Sequence, residues 1–114
     1  MATSSLSSHA LDTTLGKPAA GMPVTLFANA QGEDWTELSK AATNADGRAT
    51  KDNFPALAPG LYKVRFDTTT YFRQAGVEKF LYPYVDIVFQ LEAGQHYHIP
   101  LLISAHGYST YRGS

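Results

Sequence analysis

Apolar and polar side chains alternate residue by residue in short runs along most of this chain, and turn-forming residues break the runs at short intervals. A repeat of two is the mark of a strand with one face buried, whereas a helix repeats near 3.6 residues. The clearest run is His96-Tyr97-His98-Ile99-Pro100-Leu101-Leu102-Ile103. Tyr97, Ile99, Leu101 and Ile103 share an apolar face that belongs in a core. His96, His98, Pro100 and Leu102 share the opposite, outward face.

Other strands are expected at Leu6 to Asp12, Pro23 to Ala30, Trp35 to Thr43, Leu61 to Asp67, Tyr84 to Leu91 and Gly107 to Arg112. Turn signals separate them: Gly16-Lys17-Pro18, Asn44-Ala45-Asp46-Gly47, Pro55 and Pro59-Gly60, with Gln31-Gly32-Glu33-Asp34 as a hairpin loop. Thr68 to Lys79 departs from the pattern. Asp67 can cap a helix there, Tyr71, Phe72 and Ala75 fall at helical spacing, and Gly76 is placed to end it. Many short strands with one short helix predict an all-β sandwich or barrel.

The chain has 114 residues, enough for a single domain over 1–114 with one core. It is 44% hydrophobic and 17% charged, the composition of a folded globular protein. Nine basic and ten acidic residues leave a formal net charge of -1, so the electropositive footprint of a nucleic-acid binder is missing. No cysteine is present, which excludes disulfides and thiolate chemistry. Met1 to Ser8 has neither the basic patch nor the apolar run of a signal peptide, and no apolar stretch is long enough to cross a bilayer. The expectation is a cytoplasmic protein with no membrane partner.

Two histidines side by side on an outward sheet face have three readings. They can be solvated surface residues, two ligands of a zinc site completed by His9, His106 or a carboxylate, or acid–base groups that titrate near neutrality. Spacing alone does not choose among them. His9 lies in the first strand, and Arg48 follows directly on a turn, where its side chain either reaches a site or points into water. Lys63 and Arg65 alternate with core residues and are expected on an exposed face. At the C-terminus Tyr111, Arg112, Gly113 and Ser114 combine an aromatic, a guanidinium, a flexible glycine and a carboxylate where fraying is the usual outcome. The sequence contains no phosphate-cradling glycine loop, no Gly-x-Ser-x-Gly elbow and no helical metal motif.

Four motifs, in order, resemble a known family. Ser8-His9-Ala10-Leu11-Asp12 with Gly16-Lys17-Pro18-Ala19, then Asp46-Gly47-Arg48, then the His96 to Leu102 segment with Gly107-Tyr108-Ser109-Thr110, and last Tyr111-Arg112-Gly113-Ser114 are similar to the transthyretin-like proteins that act as 5-hydroxyisourate hydrolases. Ala10, where a larger apolar residue is expected, is the one departure. The resemblance implies a sandwich of two four-stranded antiparallel sheets with one short helix. It also implies a homotetramer, a dimer of dimers, with sites between dimers on the outward sheet faces. The implied reaction is metal-free and cofactor-free hydrolysis of 5-hydroxyisourate in purine catabolism. His9, Arg48 and His98 would be catalytic, and His96, Tyr111, Arg112 and Ser114 would bind substrate. His106 stays outside the site. The alternative within the same family is a small-molecule carrier without catalytic activity.

Overall fold

The computed structural model describes residues 2–29 and 34–113. Among these residues nine strands, one short 3-10 helix and one α-helix follow in order: β1 (Ser5–Asp12), β2 (Lys17–Pro18), β3 (Pro23–Asn29), β4 (Trp35–Ala42), β5 (Arg48–Ala49), the 3-10 helix (Lys51–Asn53), β6 (Gly60–Phe66), α1 (Thr68–Gln74), β7 (Val85–Leu91), β8 (His96–Ser104) and β9 (Gly107–Thr110). They form two sheets, one ordered β4-β3-β6-β7 and the other β2-β1-β8-β9, with β5 added beside β1. The chain is the expected all-β sandwich. The expected loop at Gln31 to Asp34 falls mostly outside the described residues, though β3 and β4 on either side of it do pair antiparallel.

One sheet corrects the expectation of antiparallel order throughout. β1 and β8 run parallel over their full length, from Ser5 opposite His96 to Asp12 opposite Ile103. Parallel neighbours need a long crossover. The whole β3–β7 region supplies it, so the second sheet is itself the connection between the two central strands of the first.

Alternation decides what each strand buries. β1 turns Leu6, Ser8, Ala10 and Asp12 inward, and β8 turns Tyr97, Ile99, Leu101 and Ile103 inward. They meet Val24, Leu26, Val64 and Phe66 of the other sheet in one apolar core. The two polar inward residues of β1 are satisfied there. The Ser8 hydroxyl donates to the Ile99 carbonyl at 2.7 Å, and the Asp12 carboxylate accepts from the Tyr71 hydroxyl at 2.6 Å. Burial raises the Tyr71 hydroxyl above its ordinary pKa, and its bond to Asp12 adds to the effect.

The helix lies within the expected Thr68 to Lys79 segment and ends where Gly76 is placed to end it. Asp67 caps it, accepting from the Thr70 amide at 3.0 Å. Gly76, at φ 78°, lets the chain turn back, with its amide bonded to the Arg73 carbonyl and that of Val77 to Phe72. Those two bonds satisfy the last carbonyls and end the helix at Gln74.

Lys63 and Arg65 are not an exposed face. Lys63 is buried, and Arg65 is bonded through Nε and Nη2 to the Asp86 carboxylate at 2.7 and 2.9 Å. Lys63 Nζ lies 3.6 Å from the same carboxylate and 4.6 Å from the centre of the Trp35 ring. Aromatic rings from neighbouring strands cover what strand alternation alone would leave to solvent.

Candidate active site

The parallel register of β1 and β8 builds the site. Ser5 lies opposite His96, Ser7 opposite His98 and His9 opposite Pro100. Residues opposite each other in register show their side chains on the same face. Ser5, Ser7 and His9 therefore join His96 and His98 on one outward surface. On the other side of β1, β5 pairs Arg48 with His9 and brings the guanidinium into the same group.

The turn ahead of Arg48 fixes that placement. The Asn44 side-chain oxygen accepts from the amides of Asp46 and Arg48 at 2.9 and 3.0 Å. Gly47 adopts φ 77°, and a Cβ there would collide with the Ala10 carbonyl oxygen. Only glycine suits both the conformation and the close approach.

A cavity of about 200 Å³ opens among Ser7, Arg48, Thr50, Lys51, His96 and His98. Each imidazole in this region is held by a hydrogen bond. His98 Nδ1 lies 2.7 Å from the Ser7 hydroxyl, which is also 3.0 Å from His96 Nε2. His96 Nδ1 lies 2.6 Å from the Ser5 hydroxyl. His9 Nε2 is 2.9 Å from the Asp46 carbonyl oxygen. A carbonyl can only accept, so Nε2 of His9 carries the hydrogen and Nδ1 keeps the lone pair while the ring is neutral. The rings of His9 and His98 stand 6.4 Å apart between centroids.

Burial pushes the His98 pKa below its ordinary value of about 6.5, and the positive charges of His9, Arg48 and His96 push it the same way. A half-buried imidazole that stays neutral at pH 7 can accept a proton from water. Among the described residues Arg48 makes no ion pair, so its charge is available to an incoming oxygen anion. No three histidine, aspartate or glutamate side chains among the described residues gather as a metal-ligand set.

The C-terminal segment reaches this face but does not bring all its residues to it. Gly113 pairs with His98, its amide donating to the His98 carbonyl at 2.8 Å. A Cβ on Gly113 would run into Cδ2 of the His98 ring, so the glycine backbone packs flat on that edge. Since Gly113 shares the His98 face, alternation sends Arg112 the other way. Its guanidinium stacks 4.2 Å above the ring of Tyr97 and donates to Gln95 Oε1 at 2.8 Å. Arg112 thus fastens the tail and does not meet the histidines. Tyr111 is exposed, and Ser114 lies outside the described residues.

The structure brings His9, Arg48, His96 and His98 together, the grouping that the family resemblance implied. Ser5 and Ser7 were missed. Their spacing of two residues from each other and from His9 marks a shared face, but only the register of β1 on β8 shows that this face is the histidine face.

The HIUase/Transthyretin family model matches residues 6–113, nearly the whole of this architecture. The chain belongs to that family. It is 44% identical to the 5-hydroxyisourate hydrolase of Mus musculus, with 100% of each chain covered. Among solved structures it is similar to Klebsiella pneumoniae 5-hydroxyisourate hydrolase, at 38% identity and a TM-score of 0.81 over 100% of both chains. It is also similar to (S)-allantoin synthase, at 30% identity and a TM-score of 0.86, of which it spans 44%. Family membership alone covers hydrolases and transthyretins alike. The full-length relatives named as hydrolases, together with the imidazole and guanidinium group, favour chemistry over carriage.

Proposed function

We propose that this chain is a 5-hydroxyisourate hydrolase. It opens the substrate ring by attack of water on a ring amide carbonyl carbon: the new C–O bond forms, the ring C–N bond breaks, and the proton taken from water passes to the leaving nitrogen, giving the carboxylate and ureido groups of 2-oxo-4-hydroxy-4-carboxy-5-ureidoimidazoline. The observation that carries the reading is His98, held by Ser7 and standing beside His9, at a cavity it shares with Arg48, which makes no ion pair among the described residues.

Each residue has a role set by its surroundings. His98 accepts the proton of the attacking water, because burial keeps its lone pair free near neutral pH. His9 offers a second lone pair at Nδ1, its other nitrogen being committed to Asp46. Together they position the water and share its proton. Arg48 stabilises the negative charge that develops on the attacked oxygen, an effect strengthened where water is excluded. His96 and Tyr111 border the substrate, and Arg112 acts by holding the tail in place.

The site lies on an outward sheet face, and assembly of a homotetramer from two dimers would cover that face. Closing it against a second protomer would exclude bulk water and complete the wall around the substrate. Light scattering of the purified chain tests the tetramer.

Freshly generated 5-hydroxyisourate, followed by its ultraviolet absorbance, tests the activity. The protein should accelerate its disappearance well beyond the spontaneous rate, equally with and without EDTA. Decay at the spontaneous rate, with tight binding of small aromatic molecules, would make the chain a carrier. Loss of activity in EDTA would replace the histidine mechanism with a metal one.

A further inference from the structure

The serine hydroxyl between the two histidines has only one hydrogen to give. Ser7 Oγ lies 2.7 Å from His98 Nδ1 and 3.0 Å from His96 Nε2, and it can donate to only one of them. The ring that receives no hydrogen from Ser7 must donate one to it. With Ser5 beyond His96, and with the Ser7 hydrogen given to one of the two imidazoles, the four residues form a chain that runs in one of two directions. In one direction His98 holds its hydrogen on Nδ1, and in the other on Nε2.

The surroundings of the His98 ring make that choice matter. Ser7 occupies the Nδ1 edge, and the Gly113 backbone covers the Cδ2 edge. The open end of the ring is therefore the side of Nε2, which has no hydrogen-bond partner among the described residues. Arg48 shares the cavity with this ring. A neutral imidazole beside a positive charge is most stable with its lone pair toward that charge and its N–H away from it.

We propose that Ser7 is a positioning residue that fixes the tautomer of His98. His98 Nδ1–H donates to Ser7, Ser7 donates to His96 Nε2, and His96 Nδ1–H donates to Ser5. Nε2 of His98 is left as the lone pair that faces the cavity. His96 then acts on His98 through Ser7, a positioning role in addition to its place at the border of the substrate. The same hydroxyl holds the ring against Gly113, so tautomer and orientation are set by one residue. The kinetic consequence rests on the hydrolase reading, whereas the tautomer itself does not.

Two measurements test this, one without turnover. Nitrogen-15 NMR of the whole protein near pH 7.5 should show His98 with its hydrogen on Nδ1. Ser7→Ala should convert it to a mixture, and Ser7→Thr, which keeps the hydroxyl, should restore the single form. In the assay, Ser7→Ala should lower kcat by roughly ten- to a hundredfold with little change in KM, as expected for an orienting partner, and Ser7→Thr should recover most of it. A wild-type His98 with its hydrogen on Nε2, or a spectrum unchanged by Ser7→Ala, overturns the proposal. So does a Ser7→Ala variant as fast as wild type. A wild-type protein that leaves 5-hydroxyisourate untouched refutes the hydrolase reading alone, and the NMR result still decides the tautomer.

Discussion

The outward faces of the two sheets use similar residues to opposite ends. On the β4-β3-β6-β7 sheet, Lys63 and Arg65 share the Asp86 carboxylate and lie over the rings of Phe27, Trp35 and Tyr84. Burial alone would raise the Asp86 pKa, but Arg65 and Lys63 outweigh it and hold it below the usual carboxylate range. On the other sheet, Arg48 has no carboxylate partner among the described residues, and the imidazoles bond to serine hydroxyls and one carbonyl. The first face has spent its charges on itself, which suits a structural role. The second holds imidazoles bonded to uncharged partners and a guanidinium with no ion pair among the described residues, groups still able to act on something else.

The largest effect should come from removing a base on the second face. His98→Ala and His9→Ala should each lower the hydrolysis rate by about two to four orders of magnitude, the usual contribution of a positioned base. Both rings are only half-buried and outside the apolar core, so the thermal midpoint should barely move. Kinetics and a thermal melt of the same samples check both halves. A variant that keeps its rate would place the histidine face beside Lys63 and Arg65 as structural.

How much of this contrast was legible beforehand follows from which contacts are local. The outward histidine pair could be read from alternation along one strand, and the helix from Asp67 and Gly76 at its ends. Strand alternation also placed Lys63 and Arg65 correctly opposite Tyr62, Val64 and Phe66. It failed on their burial, because the covering groups come from other strands: Phe27 from β3, Trp35 from β4 and Asp86 from β7. Ser7 escaped notice for the same reason. Its partners lie 89 and 91 residues away in the chain, across a parallel pairing that no hairpin signal announces. The tail motif was recognised, but the direction of Arg112 depends on Gly113 being the residue that pairs with His98.

A smaller effect, of the opposite kind, should follow from the first face. Asp86→Asn leaves the buried Lys63 ammonium without its anion and removes the two-point bond to Arg65. Losing one partner of a fully buried pair costs about 3–5 kcal/mol. Arg65 and Asp86 keep part of their contact with water, so a loss of about 1–2 kcal/mol is expected here. Urea unfolding should show it, while the rate per folded molecule stays at the wild-type value. A fall in rate with unchanged stability would dissolve the division of labour between the sheets.

The subtlest separation is in pH. His98 has its pKa lowered in the folded chain, so the unfolded chain takes up its proton first as the pH falls. The stability that this neutral ring contributes is present above about pH 6.5 and is lost as the pH falls through the lowered value. Asp86, also lowered, keeps its contribution until below about pH 3.9. Activity should therefore fade on the acid side well before the paired face is disturbed, with its midpoint under about pH 6.5. Part of the His98 shift comes from the positive charge of Arg48, after the larger part from burial. Arg48→Gln should move the acid limb of the residual rate upward toward pH 6.5, whereas Asp86→Asn should leave it in place. An acid limb that stays fixed in Arg48→Gln would mean that the guanidinium does not act on His98 across the cavity, and the contrast between a free and a neutralised cation would lose its electrostatic basis.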